Sequence, residues 1–155
     1  MRKSQEEIRE QELRKDIRRL LGERLAVLST HDEGRPYASL VAFAATEDLR
    51  HIVFATSRPT RKYANLRADA RVALLVDSRR NEEADFHRAE AVTAIGVVAE
   101  ITGPEREKYL PLYLAKHPAL EDFVRAETCA LLCLSVERYL RVKNFQRVSE
   151  LRIRT

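Results

Sequence analysis

The 155-residue sequence has no tryptophan and only four glycines, so neither an aromatic cage nor a glycine-rich loop is available as binding chemistry. Its two cysteines, Cys129 and Cys133, are too few for a disulfide scaffold and cannot build a zinc site alone. No apolar run approaches the roughly 20 residues that a bilayer-spanning helix needs, so no membrane association is expected. The start, Met1-Arg2-Lys3-Ser4-Gln5-Glu6-Glu7, runs into charge rather than an apolar stretch, which predicts no secretory leader and a cytoplasmic address. His31, His51, His87 and His117 lack the close spacing of metal ligands, and no metal site is expected. There are no internal repeats and no low-complexity segments.

What is present fits one globular domain over residues 1–155. Apolar residues make up 45%, enough for a core and too many for a disordered chain. Charged residues reach 34%, above the typical quarter, which predicts a heavily charged skin around that core. The net charge of +4 is unevenly spread. Residues 58–71 carry five Lys/Arg against Asp69, and the last 18 residues carry six against Glu150. Patches of this kind attract anions, a cofactor phosphate as readily as nucleic acid. Tyr139 and Phe145 beside the C-terminal cations are not accompanied by a recognition-helix or RNA-binding motif, so no nucleic-acid partner is expected.

Along the chain, residues 4–21 read as a helix: Ser4 and Glu7 match a capping box, and Leu13, Ile17, Leu20 and Leu21 form an apolar stripe. Strands are predicted at 25–30, 37–46 and 51–56, separated by turn chemistry at Asp32–Pro36 and Glu47-Asp48. A short helix over 60–70 follows, with Thr60 as N-cap and Tyr63, Leu66 and Ala70 facing inward. Then come a strand at 71–77, a polar loop at 78–88 and a long strand at 89–102, where Gly96 marks a bend or bulge. Helical turns at 105–116 and 119–125 precede a last strand at 128–142. Cys129 and Cys133 share one face of that strand and read as core packing. The fold class is mainly β (α+β): a six-stranded antiparallel barrel over 23–142 with short decorating helices, an N-terminal helix over 1–22 and a basic tail over 143–155.

The segment richest in chemistry is Phe54-Ala55-Thr56-Ser57-Arg58-Pro59-Thr60-Arg61-Lys62, where a strand enters a turn of hydroxyls and cations and a helix begins. Exposed amides at a helix start favour an anion. Arg61 can fork onto two phosphate oxygens, Lys62 adds a point charge, and Thr56 or Thr60 can donate from its hydroxyl. A solvated basic helix start capped by Thr60 fits the same residues, and the segment alone does not decide between the two.

In order along the chain stand Leu28-Ser29-Thr30, Gly34-Arg35-Pro36, Thr56-Ser57, Thr60-Arg61-Lys62, Asn65-Leu66, Asp69-Ala70-Arg71-Val72-Ala73-Leu74-Leu75-Val76 and Ala91–Gly96. This ordered set resembles the pyridoxamine 5′-phosphate oxidase-like superfamily of split β-barrels that bind flavin mononucleotide (FMN). The resemblance implies a homodimer with FMN at its interface. The backbone of Tyr37, Ser39, Leu40 and Val41 would lie along the flavin ring, and Thr56, Ser57, Thr60, Arg61 and Lys62 would hold the phosphate. His87 and Arg88, in the polar loop before the dimer-facing strand, stand where they could reach a neighbouring subunit's flavin.

Three departures separate this chain from the true oxidase. Ser39 stands where that enzyme has a phosphate-holding Arg, Ala44 where it has a substrate Lys, and Ala91 where it has a flavin-contacting Gln. Oxidation of pyridoxamine phosphate is therefore not expected. The resemblance leaves two functions open: an FMN-dependent oxidoreductase acting on a small molecule, with NAD(P)H a candidate reductant, or a flavin-binding sensor or carrier without turnover. Haem and deazaflavin F420 are the alternative cofactors among such barrels. No side chain stands out as a general acid or base, and no catalytic residue is assigned.

Overall fold

The computed structural model describes residues 2–154. Helix α1 (Gln5–Leu20) leads into β1 (Leu25–Asp32), β2 (Arg35–Ala45) and β3 (His51–Ser57). Helix α2 (Arg61–Ala68), β4 (Arg71–Asp77), the single turn α3 (Asp85–Arg88) and β5 (Glu90–Glu100) follow. Helix α4 (Pro104–Lys116), a 3₁₀ turn, α5 (Glu121–Arg125), β6 (Cys129–Lys143) and β7 (Arg147–Arg152) complete the chain. The strands run antiparallel in the order β3-β2-β1-β4-β5-β6-β7, and pairing of β3 with β6 closes six of them into a barrel, as the sequence predicts.

The barrel interior follows from period-two alternation. Ala26, Leu28 and Thr30 of β1, Val72, Leu74 and Val76 of β4, and Val92, Ala94 and Val98 of β5 all point inward and are buried. Helix α1 lays Ile17 and Leu20 over this core, and its start is fixed by the expected capping box, with Glu7 N donating to Ser4 Oγ at 3.1 Å. In β3, by contrast, Ile52 through Thr56 are all buried, and in β6 Cys129 through Leu132 are too. Both faces of these two strands are covered because α4 and α5 pack a second apolar cluster, built on Tyr109, Tyr113 and Val124, against their outer side. Cys129 and Cys133 belong to this cluster. Burial pushes both thiols up, Cys133 to about 11, so they remain protonated and unreactive at neutral pH.

Two expectations need correction. The 143–155 segment is not a free tail: Arg147–Arg152 forms β7, which pairs with β6 and buries Leu151 opposite Tyr139. Asn144 and Phe145 turn the chain with φ of 53° and 57°, the positive pair that a type I′ hairpin needs. Within the loop over 78–88, Asp85 accepts from the backbone N–H groups of Arg80, Asn81 and Glu82 and nucleates α3. Those bonds hold its carboxyl below the usual range.

At the C-terminal end of α4, His117 is buried and its Nε2–H donates to Phe43 O at 2.7 Å. Beside it Lys116 Nζ donates to Leu21 O at 2.9 Å and stands 3.8 Å from the centre of the Phe43 ring. Burial pulls the Lys116 ammonium down to about 8. An unfolded lysine titrates near 10.4, so between those values the unfolded chain holds the proton that the native chain has lost, and stability rises with pH. Denaturant titrations of wild type and Lys116→Met at pH 7 and pH 9.5 are expected to show the difference moving by about 1 kcal/mol in favour of wild type, allowing for residual solvent contact. No movement would mean the ammonium is fully hydrated.

Candidate functional site

The cavity that matters arises from incomplete pairing. β2 and β3 share only the register Phe43↔Phe54, Ala44↔Val53 and Ala45↔Ile52. Beyond it, β2 continues along β1 and β3 continues along β6, so the two strands splay apart. The cleft between residues 40–42 and 55–57 has a volume of about 330 Å³. Its β2 wall is a strand edge with no partner strand on that side, so its backbone donors and acceptors are available to a ligand.

One end of the cleft is the turn singled out in the sequence. Thr60 caps α2 through Oγ1, which accepts from Tyr63 N at 3.2 Å and donates to Ser57 O at 2.8 Å. Thr56 Oγ1 lies 3.4 Å from Thr60 Oγ1. Lys62 lines the cavity, is half-buried, and has no carboxylate within ion-pair distance among the described residues. Burial alone lowers its pKa. A cation that is losing water and has no counter-ion is an open seat for an anion. The opposite wall is apolar: Tyr113 from α4, Leu120 from the 3₁₀ turn and Phe123 from α5. Burial raises the Tyr113 phenol to about 12, so it stays a neutral O–H.

The sequence-predicted residues divide accordingly. Leu40, Val41, Thr56, Ser57, Thr60 and Lys62 line the cleft. Ser39, two residues from Val41 on the same face of β2, has a buried Oγ with no hydrogen-bond partner. Arg61, expected to fork onto phosphate, instead lies 3.8 Å from Asp32 with 63% of its side chain exposed, and does not line the cleft. Tyr37, 40% exposed, and His87 on α3 also lie outside the lining. Tyr113, Leu120 and Phe123 were missed, because helical periodicity shows that α4 and α5 bury a face without showing against what.

A larger groove of about 810 Å³ separates α1 from β6 and β7, and within it Arg141 pairs with Asp16 and Arg152 with Glu150. Among the described residues no group of three or more His, Cys, Asp or Glu could hold a metal ion. No helix there is long and apolar enough to cross a membrane.

The sequence model of pyridoxamine 5′-phosphate oxidase matches residues 10–142, a span that takes in every wall of this cleft. The chain belongs to the pyridoxamine 5′-phosphate oxidase family. Solved structures carry the same fold. A heme binding protein from Mycobacterium smegmatis superposes with a TM-score of 0.79 at 21% identity, over 98% of this chain and 59% of its own. The protein Atu2129 from Agrobacterium tumefaciens, of unknown function, gives 0.76 at 22% identity, over 86% and 57%. A FAD-binding protein from Mesorhizobium loti gives 0.66 at 16% identity, over 82% and 91%. The chain thus spans under two thirds of the first two. No curated protein matches the sequence.

Proposed function

We propose that this protein binds FMN in the cleft between β2 and β3, as a homodimer, and serves as an oxidoreductase for a small molecule. The observation that carries the reading is Lys62: a half-buried cation without a counter-ion, next to the Thr56 and Thr60 hydroxyls, at one end of a slot with a bare strand edge. The chain's residues fit the cofactor. Lys62, Thr56, Ser57 and Thr60 suit a phosphate monoester, the free edge at residues 40–42 suits the alternating donors and acceptors of a flavin ring, and Leu120 and Phe123 suit its apolar part. Ser39 Oγ, buried and unpartnered, lies on that strand outside the cleft lining. When bound, flavin supplies hydride or electron transfer, and the protein supplies position and field.

Flavin fits better than haem, because the cleft lining contains no His, Cys or Met to ligate iron and its one phenol, Tyr113, is held as a neutral O–H by burial. The dimer is supported by the outer faces of β1 and β2, where Leu25 and Leu40 are 56% and 64% exposed. Scattered exposed apolar residues are ordinary, but these two line one surface hollow, and Leu40 also lines the cleft.

The test is direct. Protein incubated with FMN and desalted is expected to retain a flavin absorbance band, with quenched fluorescence, and to sediment as a dimer. Loss of all flavin on desalting, together with unquenched fluorescence on titration, would reject the reading. Reduction of the bound flavin by NAD(P)H and reoxidation by an added acceptor would separate an oxidoreductase from a carrier.

A further inference from the structure

The turn over 58–63 is held from beneath by an acid. Glu100, the last residue of β5, accepts from Tyr63 Oη at 2.7 Å through Oε1 and meets Arg58 Nη2 at 3.4 Å through Oε2. Arg58 reaches on to the junction of α5 and β6, where Nη1 donates to Glu127 O at 2.6 Å and Cys129 O at 3.2 Å. Its backbone N–H donates to Thr128 O at 2.8 Å. Tyr63 is in the first turn of α2 and its N–H is the one that Thr60 caps. Residues 58 and 63 therefore bracket Thr60 and Lys62, and both tethers end on one carboxylate. The bond from Tyr63, then Arg58, keeps that carboxyl below its usual range, so it is ionised at neutral pH.

Glu100 does not line the cleft. By Coulomb's law alone a carboxylate in this neighbourhood opposes an anion. We infer that Glu100 is a positioning residue of the anion site: by pinning Arg58 and Tyr63 it fixes the turn so that Thr60 and Lys62 stand at the cleft before the ligand arrives. The inference rests on the FMN reading above and adds to it a residue outside the cavity that sets the site's preference for a phosphorylated flavin. Preorganisation of this kind contributes affinity by removing the cost of ordering the turn on binding.

Geometry and field predict opposite signs, which makes the inference testable. Full-length wild type, Glu100→Gln and Tyr63→Phe are titrated with FMN and with riboflavin, following flavin fluorescence. Glu100→Gln removes a negative charge, yet is expected to lower FMN affinity about tenfold while riboflavin changes by less than about twofold. Tyr63→Phe keeps the carboxylate, cuts one tether, and is expected to move FMN affinity the same way by a smaller factor; it also stands in should Glu100→Gln fail to fold. FMN binding that is unchanged or tighter in these variants overturns the positioning role. Equal losses for both flavins overturn it as well, because they report general destabilisation. A wild type that binds FMN no better than riboflavin overturns the phosphate site itself, and that failure is read before any variant is compared.

Discussion

Gly96→Ala is expected to destabilise the barrel by about 3 kcal/mol or more, lowering Tm by roughly 6–12 °C. Gly96 sits where the β5–β6 register shifts, opposite Val136, and a Cβ built there would lie 2.0 Å from Ser135 O. No side-chain rotation relieves that overlap, since the obstacle is backbone in the middle of the longest pairing in the sheet. The strands must part or the bulge must move, and either breaks ladder bonds. Thermal unfolding followed by circular dichroism checks this; a midpoint within about 2 °C of wild type would mean that the bulge adapts freely.

The second large effect is on binding. Lys62→Met retains the apolar stem and removes only the ammonium, and is expected to weaken FMN by about 1.5–3 kcal/mol, roughly 10- to 150-fold. Riboflavin, which lacks the phosphate, is expected to bind as to wild type. Arg61→Ala is expected to do much less, because Arg61 is mostly solvated and its contact with Asp32 is a long surface ion pair. Isothermal titration of both flavins against both variants decides the matter. If Arg61→Ala carries the larger loss, the side chain swings inward on binding and the assignment of the anion to Lys62 is wrong.

The contrast between Arg58, Arg61 and Lys62 shows where sequence reasoning stops. The three cations fall within five residues and look equivalent, yet one braces α5 and β6, one turns to Asp32, and one faces the cleft. A turn has no period, so spacing cannot assign these directions; the partners, at residues 32, 100 and 127, are fixed only by the closed barrel. What periodicity does control was readable: the six barrel strands, the Ser4 and Thr60 caps and the Gly96 bulge. β7 escaped because its hairpin turns on Asn144-Phe145 rather than on Asn-Gly, and because its Arg-Val-Ser-Glu-Leu-Arg run presents charge on a strand covered on one face only. The apolar wall of the cleft escaped for a different reason. Tyr113 and Phe123 lie more than 50 residues beyond the strand they face, and nothing local announces the meeting.

The seam of β2 with β3 is only three residue pairs long, as is that of β1 with β4, while the seams of β6 with β3 and β5 run to seven or more. A closed ring breathes at its shortest joints, and the one between Phe43–Ala45 and Ile52–Phe54 borders the cleft, so amide protons there exchange ahead of those in β5 and β6. A molecule lodged beside that joint acts as a clasp: it slows the opening, raises the melting point, and makes occupancy visible from the rate at which a handful of backbone protons trade with solvent.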